Sequence, residues 1–122
     1  MGGITKLREF VRGMTRLADD GADGRRFLEE GGALLRDLVA QDDWLPADCA
    51  VAGPTYRQCL LHCDPLERFS VVSFVWGPGQ RTPIHDHTVR GLVGMLRGEE
   101  ISTEMIPGPL GTPMQAGRTD RL

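Results

Sequence analysis

No run of apolar residues in this chain approaches the roughly 18 that a membrane-spanning helix needs, which argues against a spanning segment. A basic excess is missing as well. Lys and Arg number 14 against 17 Asp and Glu, for a net charge of -3 and a pI near 5.5. That balance leaves no electrostatic footprint for nucleic acid or for an anionic membrane. The opening MGGITKLREFVRGM lacks the apolar block of an export signal and carries charges in its place, so a cytoplasmic location is expected. Cysteine is scarce and odd in number. Cys49, Cys59 and Cys63 therefore read as reduced thiols rather than a disulfide framework, with Cys59 and Cys63 as small buried apolar residues. Internal repeats and low-complexity tracts are absent. What is present is ordinary: 122 residues, 40% apolar and 25% charged, suit one domain around one core.

Two helices are expected first, over residues 1–41. Ile4, Leu7, Val11, Met14 and Ala18 recur at helical spacing, and Gly21 follows Asp19-Asp20 as a stop. The second carries Phe27, Leu28, Leu34, Leu35, Leu38 and Val39 on one stripe despite Gly31-Gly32 within it. Asp23 is its expected N-cap, with Glu29 and Glu30 near the positive helix end. Both helices are expected to cover one face of a sheet.

From Asp42 to residue 106 the texture becomes strand-like. Trp44, Leu45, Pro46 and Gly53-Pro54 mark an irregular connection. Three runs follow, 56–63, 69–76 and 84–96, with a shorter one over 101–106. Asp64-Pro65 and Glu67 form a turn that makes the first two a hairpin. FSVVSFVW, 69–76, is apolar on alternate and intervening positions alike, so it reads as a strand buried on both faces. After Pro107, GPLGTPMQAGRTDRL is rich in Gly and Pro, has no periodicity and reads as loop. Helices followed by hairpin-linked strands argue for a mainly β domain with N-terminal helices and an antiparallel sheet.

The residues that invite a chemical reading are His85 and His87, two of only three histidines. At i and i+2 of a strand they project from the same face while Asp86 points away. Imidazole suits Fe, Zn, Cu and Ni, and two rings from one strand can take adjacent coordination positions. The same pair also fits two half-exposed strand histidines that bind nothing.

The surroundings narrow the choice. Gly79, five residues, His85-x-His87, three residues, Gly91, six residues and Gly98 reproduce the spacing of the first cupin motif. In cupins the position of Gly91 is usually a glutamate that ligates metal. Its replacement by glycine resembles the thiol dioxygenases, which hold Fe(II) through three neutral histidines and no carboxylate. VVSFVWGPGQRTPIHDHT, 71–88, is similar to the segment carrying the first two ligands in bacterial cysteine dioxygenase relatives, and Tyr56-Arg57-Gln58 matches their substrate-facing strand. The resemblance covers roughly 44–97, with the helices a looser match. It implies a partial cupin barrel of antiparallel strands over 42–106, Fe(II) held by His85 and His87, and Tyr56 and Gln58 lining a substrate pocket. Arg57 points to the other strand face by parity. Glutamine where mammalian-type enzymes place arginine is associated with 3-mercaptopropionate and related thiols. A cysteine near Gly91-Leu92 that those enzymes crosslink to tyrosine is lacking here. Arg90 departs from the pattern, standing where an aromatic is expected.

The resemblance also exposes a gap. The family's third histidine and its Ser-x-His-x-Tyr relay lie on strands later than residue 122. His62, in LLHCD at a strand end, is expected to face solvent, and a Zn site from Cys59, His62 and Cys63 matches no usual spacing. The chain is thus expected to resemble the N-terminal part of a thiol dioxygenase, either a fragment, a truncated product or a chain completed by a partner. The implied activity is oxidation of a small thiol, cysteine or 3-mercaptopropionate, by O2 to its sulfinate. Two alternatives stay open: another cupin enzyme, and a non-catalytic truncated cupin that binds metal weakly or serves as an interaction module.

Overall fold

The structure, a computed structural model, describes residues 3–83, 90–104 and 110–121. Helix α1 spans Ile4–Asp19 and α2 spans Gly24–Val39. Of the expected α1 stripe, Leu7 and Met14 are buried, whereas Ile4 is exposed and Val11 and Ala18 are half-buried; Phe10 and Leu17 complete the buried face instead. The stop of α1 is a Schellman-type cap at Gly21, whose φ of 68° suits glycine. There Ala22 N–H donates to the Leu17 carbonyl at 3.1 Å and Gly21 N–H to Ala18 at 3.1 Å. Asp23 caps α2 as its sequence implies, its carboxylate accepting from Arg26 N–H at 2.8 Å.

The two glycines inside α2 have a packing reason. Gly31 and Gly32 are buried, and a Cβ on Gly31 would lie 2.9 Å from Met14 Cε and 3.4 Å from Leu92 Cδ1. Gly13 of α1 likewise faces Leu34 of α2, where a Cβ would meet Cδ1 at 2.8 Å. Trp44 closes the far end, donating its indole N–H to the Leu38 carbonyl at 2.8 Å. Lys6 reaches Asp43 at 2.7 Å, tying the start of α1 to the same segment.

A short 3-10 turn, Ala47–Cys49, leads to strand β1, Arg57–Cys63, which pairs antiparallel with β2, Ser70–Val75. The register runs from Arg57 opposite Val75 to Cys63 opposite Ser70, with a bulge at Leu61. The expected turn is built around Asp64, which is 2% exposed. Its carboxylate accepts from Arg68 N–H at 3.1 Å and from Arg68 Nε at 2.8 Å, while Arg68 Nη1 donates to Asp19 at 2.7 Å. These bonds from Arg68 hold the Asp64 carboxyl down, to a pKa of about 2. The inner face of the hairpin, with Leu61, Phe69 and Val71, packs on the core of Leu7, Phe10, Met14, Leu17, Leu38 and Trp44. The helices do cover one face of a sheet.

Four further strands complete the described chain: β3, Leu92–Gly94, with β6, Thr119–Arg121, and β4, Glu99–Glu104, with β5, Leu110–Gln115. The result is a mixed α/β arrangement of two helices and three two-stranded antiparallel sheets. No barrel closes among the described residues.

Three expectations are corrected. The tail after Pro107 is not loop, because β5 and β6 form in it. Aperiodic sequence hid them: Pro113 lies opposite Ile101 in a two-stranded pair, where an outer edge tolerates its missing N–H. The run over 84–96 is not one long strand. Only Leu92–Gly94 is paired, while 84–89 lie outside the described residues. Nor is the 69–76 strand buried on both faces, since Val72 is 36% and Phe74 45% exposed.

Candidate functional site

In an antiparallel pair, residues directly opposite one another share a face. Gln58 stands opposite Phe74 and Leu60 opposite Val72, so these four project together, away from the helices. Tyr56 joins them from just before β1, its ring centroid 6.5 Å from Phe74 and 6.1 Å from Trp76. Phe74 and Trp76 stack at 5.5 Å. The expected pocket residues Tyr56 and Gln58 are thus brought together on one face. Three clustered rings and the exposed Gln58 share one partly open face. Such a surface can pack a short alkyl chain while the amide addresses a polar end group.

Arg57 takes the other side, as parity requires, donating from Nη1 to the Val51 carbonyl at 3.2 Å. His85 and His87 lie outside the described residues. The chain that leads to them is anchored at Gly77-Pro78-Gly79-Gln80, a turn closed by Gln80 N–H on the Gly77 carbonyl at 3.1 Å with φ of 77° at Gly79. Proline second and glycine third are the type II turn signature. The Gln80 side chain accepts from Gly77 N–H at 2.6 Å and donates to the Gly53 carbonyl at 2.7 Å. It therefore couples the loop before Tyr56 to the loop before His85. Beyond the gap, the Arg90 guanidinium lies directly over Gly24 at the start of α2, where a Cβ would be 1.5 Å from Nη1.

Two expectations about polar side chains are overturned. His62 does not face solvent: it packs on the Phe69 ring at 5.6 Å, and its Nε2 is buried without a hydrogen-bond partner. The Leu61 bulge turns it inward. Cys49 and Cys59 are not reduced thiols. They are joined in a disulfide with Cα atoms 5.6 Å apart, while Cys63 is free and exposed rather than buried. Spacing alone could not reveal that bond, because it depends on the 3-10 turn folding back on β1.

Among the described residues, no three His, Cys, Asp or Glu side chains converge so as to hold a metal ion. No helix among them is long and apolar enough to cross a membrane. No model of a known protein family matches the chain.

Sequence reasoning missed Phe74 and Trp76 as site residues, having assigned them to a strand buried on both faces. Gln80 was missed too, although its G-P-G-Q turn signature was legible.

Proposed function

We propose that this chain carries the substrate-facing part of a non-haem Fe(II) thiol dioxygenase, which converts a small thiol and O2 to the sulfinate. The observation that carries the reading is a conjunction. His85-x-His87 stands in cupin spacing with glycine at 91, and Tyr56 and Gln58 of the matching strand gather on one face with Phe74 and Trp76. Imidazole nitrogen suits Fe(II), and His85 and His87 are the residues that would hold it. Among the described residues no three such donors cluster, and His62 is turned against Phe69.

Bound iron supplies a cationic site for the thiolate and for oxygen. The protein's own contribution is binding and orientation. The Gln58 amide donates hydrogen bonds to the substrate carboxylate, and the rings of Tyr56, Phe74 and Trp76 keep water from its alkyl chain. A neutral amide holds a carboxylate less firmly than a bidentate guanidinium. That favours 3-mercaptopropionate, which has no ammonium group to accommodate, over cysteine.

A second reading rests on Leu60 and Phe74, which are 64% and 45% exposed on this same face. An open apolar face is also what a non-catalytic partial cupin would present as an interaction module.

Anaerobic loading with Fe(II), followed by thiol and oxygen, separates the two. Two histidines leave most of the coordination sphere to water, so sulfinate formation by this chain is expected to be slow, with 3-mercaptopropionate preferred in kcat/KM. A clear preference for cysteine contradicts the role given to Gln58. Sulfinate formation unaffected by His85→Ala and His87→Ala contradicts the dioxygenase reading. Tight stoichiometric iron with sustained turnover would instead place a third ligand at His62 or on a partner chain.

A further inference from the structure

The Cys49–Cys59 disulfide closes a loop, and that loop contains both Tyr56 and Gln58. Cys49 ends the 3-10 turn and is buried at 9% exposure, whereas Cys59 on β1 is half-buried. Both sulfurs' residues line a cavity of about 50 Å³, together with Gln58, Arg57 and Asp48. A space of that size has room for water beside the bond. Apart from the disulfide, the 50–56 segment is held at its ends by Ala50 N–H on the Ala47 carbonyl and by the Tyr56 ring against Phe74 and Trp76, and between them by Arg57 Nη1 on the Val51 carbonyl and Gln80 Nε2 on the Gly53 carbonyl.

We propose that Cys49–Cys59 is a thiol-exchange site. Small thiols open it, and opening loosens the segment that carries Tyr56 and Gln58. In the first step a thiolate attacks Sγ of Cys59, the less buried of the two residues. The S–S bond breaks, a mixed disulfide forms on Cys59, and Cys49 leaves as a thiolate that takes a proton from water. A second thiolate attacks the outer sulfur of that adduct, freeing Cys59 and releasing the disulfide of the small thiol. Two thiols lose two electrons and the protein disulfide gains them. The exchange goes beyond the dioxygenase reading and does not need iron, so it stands or falls on its own.

Opening the bond leaves Gly53 and Val51 held by single hydrogen bonds from Gln80 and Arg57. The loop from Ala50 to Tyr56 then regains chain entropy that the cross-link had removed. The helices are anchored elsewhere, through Trp44 and the α1–α2 contact, and are expected to stay closed.

The test uses the full chain without metal. After incubation with millimolar 3-mercaptopropionate or 2-mercaptoethanol, alkylation and mass spectrometry count free thiols, and hydrogen exchange is followed by peptide. The expected result is two newly alkylated cysteines, 49 and 59, and exchange about tenfold faster across 50–56, with α1 and α2 rising by no more than the loss of global stability accounts for. In Cys49→Ser, a thiol's disulfide should trap a mixed adduct on Cys59, and the Cys49→Ser/Cys59→Ser pair should reproduce the fast exchange without any thiol. A bond that resists both thiols, or reduction that leaves 50–56 unchanged, overturns the proposal. So does a double variant in which 50–56 opens only together with the helices, which would make the bond a global staple.

Discussion

The two faces of the β1–β2 hairpin differ more than any other neighbouring parts of this molecule. One face lies on the helices, where Leu61, Phe69 and Val71 join a core of Leu7, Phe10, Met14, Leu17, Leu38 and Trp44. The other carries Tyr56, Gln58, Leu60, Val72, Phe74 and Trp76, at least partly open. Both faces are apolar, yet only one is closed. Hydrophobic burial explains the first face. The second needs another reason, and a site that receives a ligand is the reason proposed here.

The largest test is to make one substitution on each side. Leu38→Ala, at a residue 4% exposed, is expected to cost about 2–5 kcal/mol in denaturant unfolding. Leu60→Ala, at 64% exposure, should stay within about 0.5 kcal/mol. Equal costs would erase the comparison and mean that the open face is covered in solution.

Next in size is the covalent link behind the open face. Loss of the loop closure in Cys49→Ser/Cys59→Ser should destabilise the chain by about 2–3 kcal/mol, read as a lower chemical-denaturation midpoint. No change would mean that the two cysteines are not bonded in the folded chain.

Acid sharpens the comparison at the hairpin turn. Arg68 depresses the Asp64 carboxyl to about 2 in the folded chain, against about 3.9 when unfolded. A depressed carboxylate contributes stability above its unfolded pKa and loses it as the pH falls through the folded one. Stability should therefore drop between about pH 4 and pH 2, and Asp64→Asn should flatten that part of the profile. An unchanged profile in the variant would move the acid-sensitive contact elsewhere.

The smallest effect is expected at Glu67, which holds a φ of 58° in the same turn. Left-handed backbone disfavours a side chain, so Glu67→Gly should stabilise by about 0.5–1 kcal/mol. A loss in thermal midpoint would show that the glutamate makes a contact worth more than the strain.

Much of the closed side was legible in advance, because helical periodicity and caps are local. Ile4 to Ala18, the stop at Gly21 and the cap at Asp23 could all be read without a fold. The hairpin was legible for the same reason, from Asp64-Pro65 between two apolar runs. What escaped depends on partners distant in sequence. Strand β5 is orderly only because β4 lies beside it, and Gly31-Gly32 makes sense only once Met14 and Leu92 are seen to approach. The disulfide and the inward turn of His62 follow from a 3-10 turn and a bulge that no periodicity announces. At the site, the resemblance pointed to Tyr56 and Gln58 and parity set Arg57 apart, and the structure adds Phe74, Trp76 and the Gln80 bridge. His85 and His87, which carry the chemical reading, rest on sequence spacing.

The most direct measurement is therefore a metal titration of those two histidines. Anaerobic Fe(II), or Co(II) as a spectroscopic probe, is titrated into the chain and into its His85→Ala, His87→Ala and His62→Ala variants. The account predicts one weakly held ion per chain, lost when either His85 or His87 is replaced and unaffected at His62. Binding that survives both of the first two substitutions, or that disappears with His62, would contradict it.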